Sequence, residues 1–365
     1  MSAPRHRLLR RVVLGLVGLL VLLAAAAYGG YRHYDAKVTR VAVPSLGRSA
    51  PAVIGPPAPI GDYFLLAGSD TRALSDGASF QSTVAGDVVT GQRADTVILV
   101  HLPPGSAKAT VLSFPRDAYV TIPAYRDAAG VSTPAHRAKL NEAFAVGGPD
   151  LLVRTIEELT GLPVDHYLQV DFDGFRRIVD ALGGVTLCIG TSRSDKDSGD
   201  HLTAGTHRDV KGDAALAFVR DRKGLAAGDV GRMKDQEYFL AQVMKKVLSA
   251  GTLANPLRLN ALLSAVTDAL TVDSGFGLRQ FRLLGTRLSR LDPAHVDFLT
   301  LPITDDNASR VLHGQRQSVV LLDASRTAPV FAALAGRPGP PAPAPAGTAP
   351  PSPTATTAAA ATCAV

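Results

Sequence analysis

The chain has 365 residues, 46% hydrophobic and 19% charged, with a formal net charge of +6. That balance builds a packed core and excludes wholesale disorder. Two cysteines exclude a disulfide scaffold or a cysteine-rich zinc module. With no tryptophan and 5% aromatics, little is left for stacking sugars or bases, and the basic balance favours anionic partners.

Residues 1–11 (MSAPRHRLLRR) carry Arg5, Arg7, Arg10 and Arg11 and no acid. Residues 12–31 are uncharged, long enough for a helix to cross about 30 Å of hydrocarbon. The basic flank predicts a cytoplasmic tail at 1–11, a signal anchor at 12–31 and export of the rest. A cleaved signal peptide is the alternative, because residues 24–27 are all alanine. Pro, Gly and small residues over 32–60 read as a juxtamembrane spacer. The Pro/Ala/Thr-rich residues 336–365 read as a disordered tail. Between them lies one extracytoplasmic domain, 61–335.

Within that domain, 62–68 (DYFLLAG) is a short, mostly apolar run expected to be a buried strand. Segments 95–102 and 109–114 flank PPGSAK and predict a hairpin. Pro149 starts a helix that Gly161 ends. A strand at VDHYLQV follows, then helical spacing at Phe172, Phe175, Val179 and Leu182, then a strand at VTLCI. Leu240, Val243, Met244 and Val247 mark a long helix; 256–270 and 277–291 are further helices, and 295–303 a late strand. The pattern is α/β, a three-layer α-β-α sandwich around a central mixed sheet. Cys188 is expected to be a buried free thiol, because ordering the tail around Cys363 would cost entropy.

Acid and arginine signatures follow the strand ends, where α/β folds place their sites. They are GSDTR (Asp70, Arg72), RAD (Arg93, Asp95), SFPRD (Arg116, Asp117) and a stretch with Arg220, Arg222, Asp229, Arg232 and Gln236. Singly, each is most simply a surface salt bridge worth under about 1 kcal/mol. Together they describe a site for a metal-bound pyrophosphate, since guanidinium forks match phosphate oxygens and carboxylates suit Mg²⁺. Motifs for P-loop nucleotide hydrolysis, zinc proteolysis and Ser-triad hydrolysis are absent.

These blocks, with KLNEAFAVGG and HYLQVDFDGFRRIVDALGGV, appear in an order and spacing that resembles the LytR-CpsA-Psr family of membrane-anchored glycopolymer transferases. The resemblance runs from about Asp62 to Ser249 and looks actinobacterial. It implies transfer of a cell-wall polymer, such as teichoic acid or arabinogalactan, from a polyprenyl-pyrophosphate carrier to the C6 hydroxyl of muramic acid in peptidoglycan. It also implies Mg²⁺ (Mn²⁺ as a second option) on Asp70 and Asp95, and pyrophosphate on Arg72, Arg93, Arg116, Arg220, Arg222, Arg232 and Gln236. Arg116, Arg220 and Arg222 would also act in catalysis, and Asp229 would activate the acceptor hydroxyl. A greasy tunnel between sheet and helices is implied, with Phe172, Phe175, Ile178, Val179, Phe239 and Val243 as candidates to line it. The family pattern has Arg before the Gln at 236, whereas Lys234 and Asp235 stand here. Alternatives are a polyprenyl-pyrophosphate pyrophosphatase, a membrane-bound transcriptional regulator and a non-catalytic wall-binding module. Nucleic acid is not an expected partner, because a helix-turn-helix signal is missing and the anchor denies access to DNA.

Overall fold

The computed structural model describes residues 29–30, 32, 34–46, 61–69, 82–84, 87–89, 93–127, 130–221, 225, 228–253, 255–292, 295–336 and 356–357. Apolar runs form the central strands: β1 (Thr39–Val41), β2 (Asp62–Ser69), β3 (Ala94–Leu102) and β4 (Ala109–Phe114). Helix α1 (Leu140–Thr160) leads to β5 (His166–Asp171) and α2 (Phe172–Ala181). A hairpin of β6 (Val185–Ile189) and β7 (Gly205–Val210) precedes α3 (Gly212–Arg220) and α4 (Gly228–Val247). Then come α5 (Pro256–Ala269), β8 (Leu270–Asp273), α6 (Leu278–Leu288) and β9 (Val296–Thr300). A long hairpin, β10 (Ile303–Leu312) and β11 (Gln315–Leu322), and α7 (Ala324–Leu334) complete the domain.

The sheet order is β1-β8-β5-β2-β3-β4-β9, with Thr356–Thr357 on the outer edge of β9. It is mixed: β2 runs parallel to β5 and β4 to β9, while β3 is antiparallel to both β2 and β4. The side-chain period of two along a strand sends alternate residues to opposite faces. Tyr63, Leu65 and Ala67 of β2 pack with Leu140, Leu152 and Ile156 of α1. Phe64 packs with Ala241 of α4 and, with Leu66, against Leu240 and Phe281 on the opposite face. Helices thus cover both faces of the sheet.

Most expected elements form, with informative differences. The helix expected from Pro149 begins nine residues earlier, at Leu140, and breaks at Gly148, whose φ of 61° and ψ of −155° lie outside the helical region. Residues after that break restart as helix at Pro149, which needs no N–H there. Residues 32–60 are not wholly a spacer. Thr39–Val41 pairs in parallel with β8, and the Ser45 N–H donates to Asp150 Oδ1 at 2.8 Å. The expected anchor at 12–31 and most of the expected tail lie outside the described residues, and among those described no helix is long and apolar enough to cross a membrane. The free thiol expected at Cys188 is corrected: this cysteine is disulfide-bonded. The sequence holds one other, Cys363, which lies outside the described residues. The VTLCI strand forms, but in the β6–β7 hairpin rather than in the central sheet.

That hairpin depends on Gly184, which has φ +85° and would place a Cβ 2.5 Å from the carbonyl carbon of Asp209. Gly184→Ala combines a left-handed backbone with a backbone clash. It should cost about 1–3 kcal/mol, read as a lower urea midpoint; an unchanged midpoint would show that the hairpin relaxes freely.

Candidate functional site

Strand direction assembles the site. Because β3 is antiparallel to β2 and β4, its first residues lie where both neighbours end, with Ala94 opposite Ser69 and Val97 opposite Phe114. Asp95 thereby meets Arg116, two residues beyond β4, and its Oδ1 accepts from Arg116 Nη1 at 2.5 Å. The parallel strand β5 ends at the same rim with Asp171, whose side chain caps α2 by accepting from the Gly174 N–H at 2.6 Å.

The Arg116 loop is held from below by the first turn of α1. Asn141 N–H donates to the Arg116 carbonyl at 2.9 Å, and Leu140 N–H to that of Ala118 at 2.9 Å. Asp117 accepts charge from two sides, with Arg116 Nε at 3.4 Å and Lys139 Nζ at 3.3 Å. The KLN segment is therefore a brace that aims Arg116. Gln236 on α4 is fixed likewise: its Nε2 donates to the Val219 carbonyl at 3.0 Å, and its Oε1 accepts from Thr96 Oγ1 at 3.3 Å. Arg220, the exposed last residue of α3, lies over the Phe172 ring at 4.8 Å, a cation–π contact worth about 0.5–1 kcal/mol at an exposed site.

Beneath this rim, a cavity of about 400 Å³ opens between the sheet and helices α2, α3 and α4. Its size falls within the range of ligand sites, roughly 300–1,000 Å³. Of the expected polar residues, Asp95, Arg116, Arg220, Arg232 and Gln236 all line it. So do all six expected apolar residues, Phe172, Phe175, Ile178, Val179, Phe239 and Val243. Arg93 is exposed just before β3 and is not part of the lining. Asp70, Arg72 and Arg222 lie outside the described residues. Asp229 falls in the first turn of α4, and its side chain also lies outside them.

Sequence reasoning passed over Asp195, Asp197 and Ser198, which reach the lining from the 190–204 connection between β6 and β7. It also passed over Arg193, buried in that connection among Asp200, Asp221 and Asp235. The acid-rich run SRSDKDSGD was the available signal, though such runs are ordinarily solvated. Glu237, next to Gln236, is pushed above the usual carboxylate range by burial, against which the Thr300 and Ser113 hydroxyls act. Its Oε1 accepts from Thr300 Oγ1 at 2.6 Å and ties α4 to β9.

Among the described residues no group of three or more His, Cys, Asp or Glu could hold a metal ion. A Mg²⁺ bound with phosphates needs only one or two protein carboxylates. Asp95, a hard oxygen donor at the cavity rim beside Arg116, fits that requirement. An apolar cavity lined also by guanidinium groups is chemically suited to an amphipathic molecule with an anionic head.

Comparison with known proteins agrees with this architecture. The LytR_cpsA_psr family profile matches residues 61–326, and the chain belongs to that family. It is 31% identical over 296 residues to the cell wall biosynthesis protein LcpA of Corynebacterium glutamicum, covering 76% of this chain and 56% of LcpA. It is 33% identical over 189 residues to the polyisoprenyl-teichoic acid–peptidoglycan teichoic acid transferase TagU of Bacillus mycoides, covering 52% of this chain and 58% of TagU. The chain thus spans little more than half the length of these curated relatives. Among solved structures, TagT bound to LIIa-WTA superposes with a TM-score of 0.57 at 25% identity, covering 81% of this chain and 98% of TagT.

The carboxyls of Asp200 and Asp235 are pushed up to about 6, chiefly by burial, with the Arg193 guanidinium opposing and Asp221 adding to the rise. Between their ordinary value of 3.8 and about 6, the folded protein holds protons that the unfolded chain releases. Stability contributed here is therefore complete below pH 3.8 and lost as pH rises through 6. Melting temperatures measured from pH 4 to 7 should fall less steeply in Asp200→Asn than in the wild type. Parallel curves would contradict this assignment.

Proposed function

We propose that this protein is an extracytoplasmic, membrane-anchored phosphotransferase that moves a glycopolymer from a polyprenyl-pyrophosphate carrier to peptidoglycan. The observation that carries the reading is the single cavity in which Asp95, Arg116, Arg220, Arg232 and Gln236 sit above an apolar floor. That division of chemistry fits a lipid diphosphate: guanidinium forks for the phosphate oxygens, and an apolar lining worth about 0.8 kcal/mol per buried CH₂ for the chain. The teichoic acid substrate in the name of TagU, and the LIIa-WTA bound to TagT, support a wall-polymer donor. The disulfide at Cys188 suits an oxidising compartment outside the membrane.

In this reading the oxygen of a muramic acid C6 hydroxyl attacks the phosphorus that carries the glycan. The bond from that phosphorus to the bridging oxygen breaks, and polyprenyl phosphate leaves with the electron pair. A sugar–phosphate–sugar diester remains. The acceptor supplies the nucleophile, so the enzyme needs no covalent intermediate. Arg116, Arg220 and Arg232, joined by Arg72 and Arg222, hold the diphosphate oxygens and offset charge on the leaving phosphate, as in phosphoryl transfer generally. Arg93 contributes from the entrance to β3. Gln236 orients an oxygen of the donor, and Asp229 takes the proton of the attacking hydroxyl. Asp70 and Asp95 would hold Mg²⁺, which when bound neutralises diphosphate charge.

Transfer of a polyprenyl-pyrophosphate-linked glycan to peptidoglycan oligomers with Mg²⁺ tests the proposal directly. Arg116→Ala and Asp95→Ala should each lower turnover by about 10²–10³-fold. Equal rates in all three proteins would remove the assignment, and phosphate release without polymer transfer would make the protein a pyrophosphatase.

The apolar floor has a separate test. Ile178 lines the cavity and is partly exposed, so Ile178→Asp should fold. It should weaken binding of a C20 polyprenyl pyrophosphate by about tenfold, near 1.4 kcal/mol, while leaving a C5 analogue little affected. Equal losses for both chain lengths would place the lipid elsewhere.

A further inference from the structure

Behind the charged rim lies a second cluster that the transfer step does not use. The 190–204 connection folds back on itself, with Arg193 N–H donating to the Leu202 carbonyl and Asp195 N–H to that of Asp200, both at 2.9 Å. From this fold Arg193 reaches inward until its side chain is 2% exposed. Its Nη1 donates to Asp235 and lies 4.0 Å from Asp221 Oδ2. Its Nε is 3.2 Å from Asp200 Oδ2, and its guanidinium lies over the Phe218 ring at 4.2 Å.

Each of these carboxylates adjoins a piece of the cavity. Asp221 directly follows Arg220, and its N–H donates to the Ala217 carbonyl at the end of α3. Asp235 directly precedes Gln236 and stands three residues after Arg232 on α4. Asp200 closes the turn that carries Asp195, Asp197 and Ser198 to the lining. Three separate chain segments thus meet at one buried guanidinium.

The geometry points to Arg193 as a positioning residue: it ties the 190–204 connection to the ends of α3 and α4, and so sets Arg220 and Gln236 over the cavity. The inference rests on the proposed reading of that cavity as a lipid-pyrophosphate site. A guanidinium cannot be buried at tolerable cost without paired charge, so the carboxylates keep it inside. Removing it leaves three buried carboxylates facing one another, and repulsion parts the segments that carry them.

The test uses the full chain, with geranylgeranyl pyrophosphate as the probe and amide hydrogen exchange as a second readout. Arg193→Gln should raise the probe's Kd about tenfold and speed exchange across 193–202 and the end of α3. Arg193→Lys should retain most of the affinity, and the exchanged pair Arg193→Asp/Asp235→Arg should bind better than either single variant. A folded Arg193→Gln with wild-type affinity overturns the inference, even with a lowered melting temperature, because it shows a purely structural role. Should that variant fail to fold, wild-type affinity in Asp200→Asn overturns it as well. A wild type that binds the probe but transfers no glycan defeats the proposed function alone. A wild type that does not bind the probe defeats both.

Discussion

The direction of a single strand sets the architecture of the site. If β3 ran parallel to its neighbours, Asp95 would lie at the far end of the sheet from Arg116. Because it runs antiparallel, the start of β3 and the ends of β2, β4 and β5 share one rim. Side chains from residues 95, 116 and 171 then stand within one ligand's reach, although the chain between them builds a hairpin and a 21-residue helix. Helix α1 serves two purposes. Its apolar stripe covers one face of the sheet, and its first-turn N–H groups brace the Arg116 loop. Packing and function therefore share residues, and a change in α1 would be felt at the rim.

The cavity separates two environments over a short distance. Phe175, Phe239 and Val243 give it an apolar lining, to which Arg116, Arg220 and Gln236 add polar groups. Charged interactions strengthen when water is excluded nearby, so in the proposed reading the apolar floor would do more than hold a hydrocarbon chain. It would also raise the effect of each guanidinium on an anionic head. Asp95 and Asp117 keep Arg116 compensated without a ligand. Arg193 is compensated in the same way by buried carboxylates. These two arginines are held by acids that the sequence supplies nearby or that the fold brings from afar.

Much of this is legible in the amino-acid sequence. The runs at 62–68, 95–102 and 109–114 form strands because their apolar residues cannot remain in water, and the Pro-Gly turn between the last two leaves a hairpin as the short path. The helix at residues 172–181 was equally clear from its spacing, and Asp171 gives it a cap. The helical character of residues 140–147 was hidden, because Gly147, Gly148 and Pro149 read locally as a break. Packing of Leu140 and Phe144 against the sheet outweighs that local preference. The short strand at Thr39–Val41 was hidden by its polar, Pro-flanked surroundings, and its pairing with β8 depends on residues more than two hundred positions away.

The sequence by itself determined the central strands at 62–68, 95–102 and 109–114 and the helix at 172–181, because periodicity and turn chemistry act over a few residues. It also determined which residue types could bind an anionic lipid head, since arginine and aspartate carry that chemistry wherever they stand. Only the tertiary structure decided that Asp95, Arg116, Arg220, Arg232 and Gln236 share one cavity while Arg93 stands outside its lining. It alone brought Arg193 to Asp221 and Asp235 and joined Cys188 in a disulfide. The physical reason is that these groupings follow from strand direction and long-range burial. Their energies depend on distance in space, and local composition carries no record of that distance.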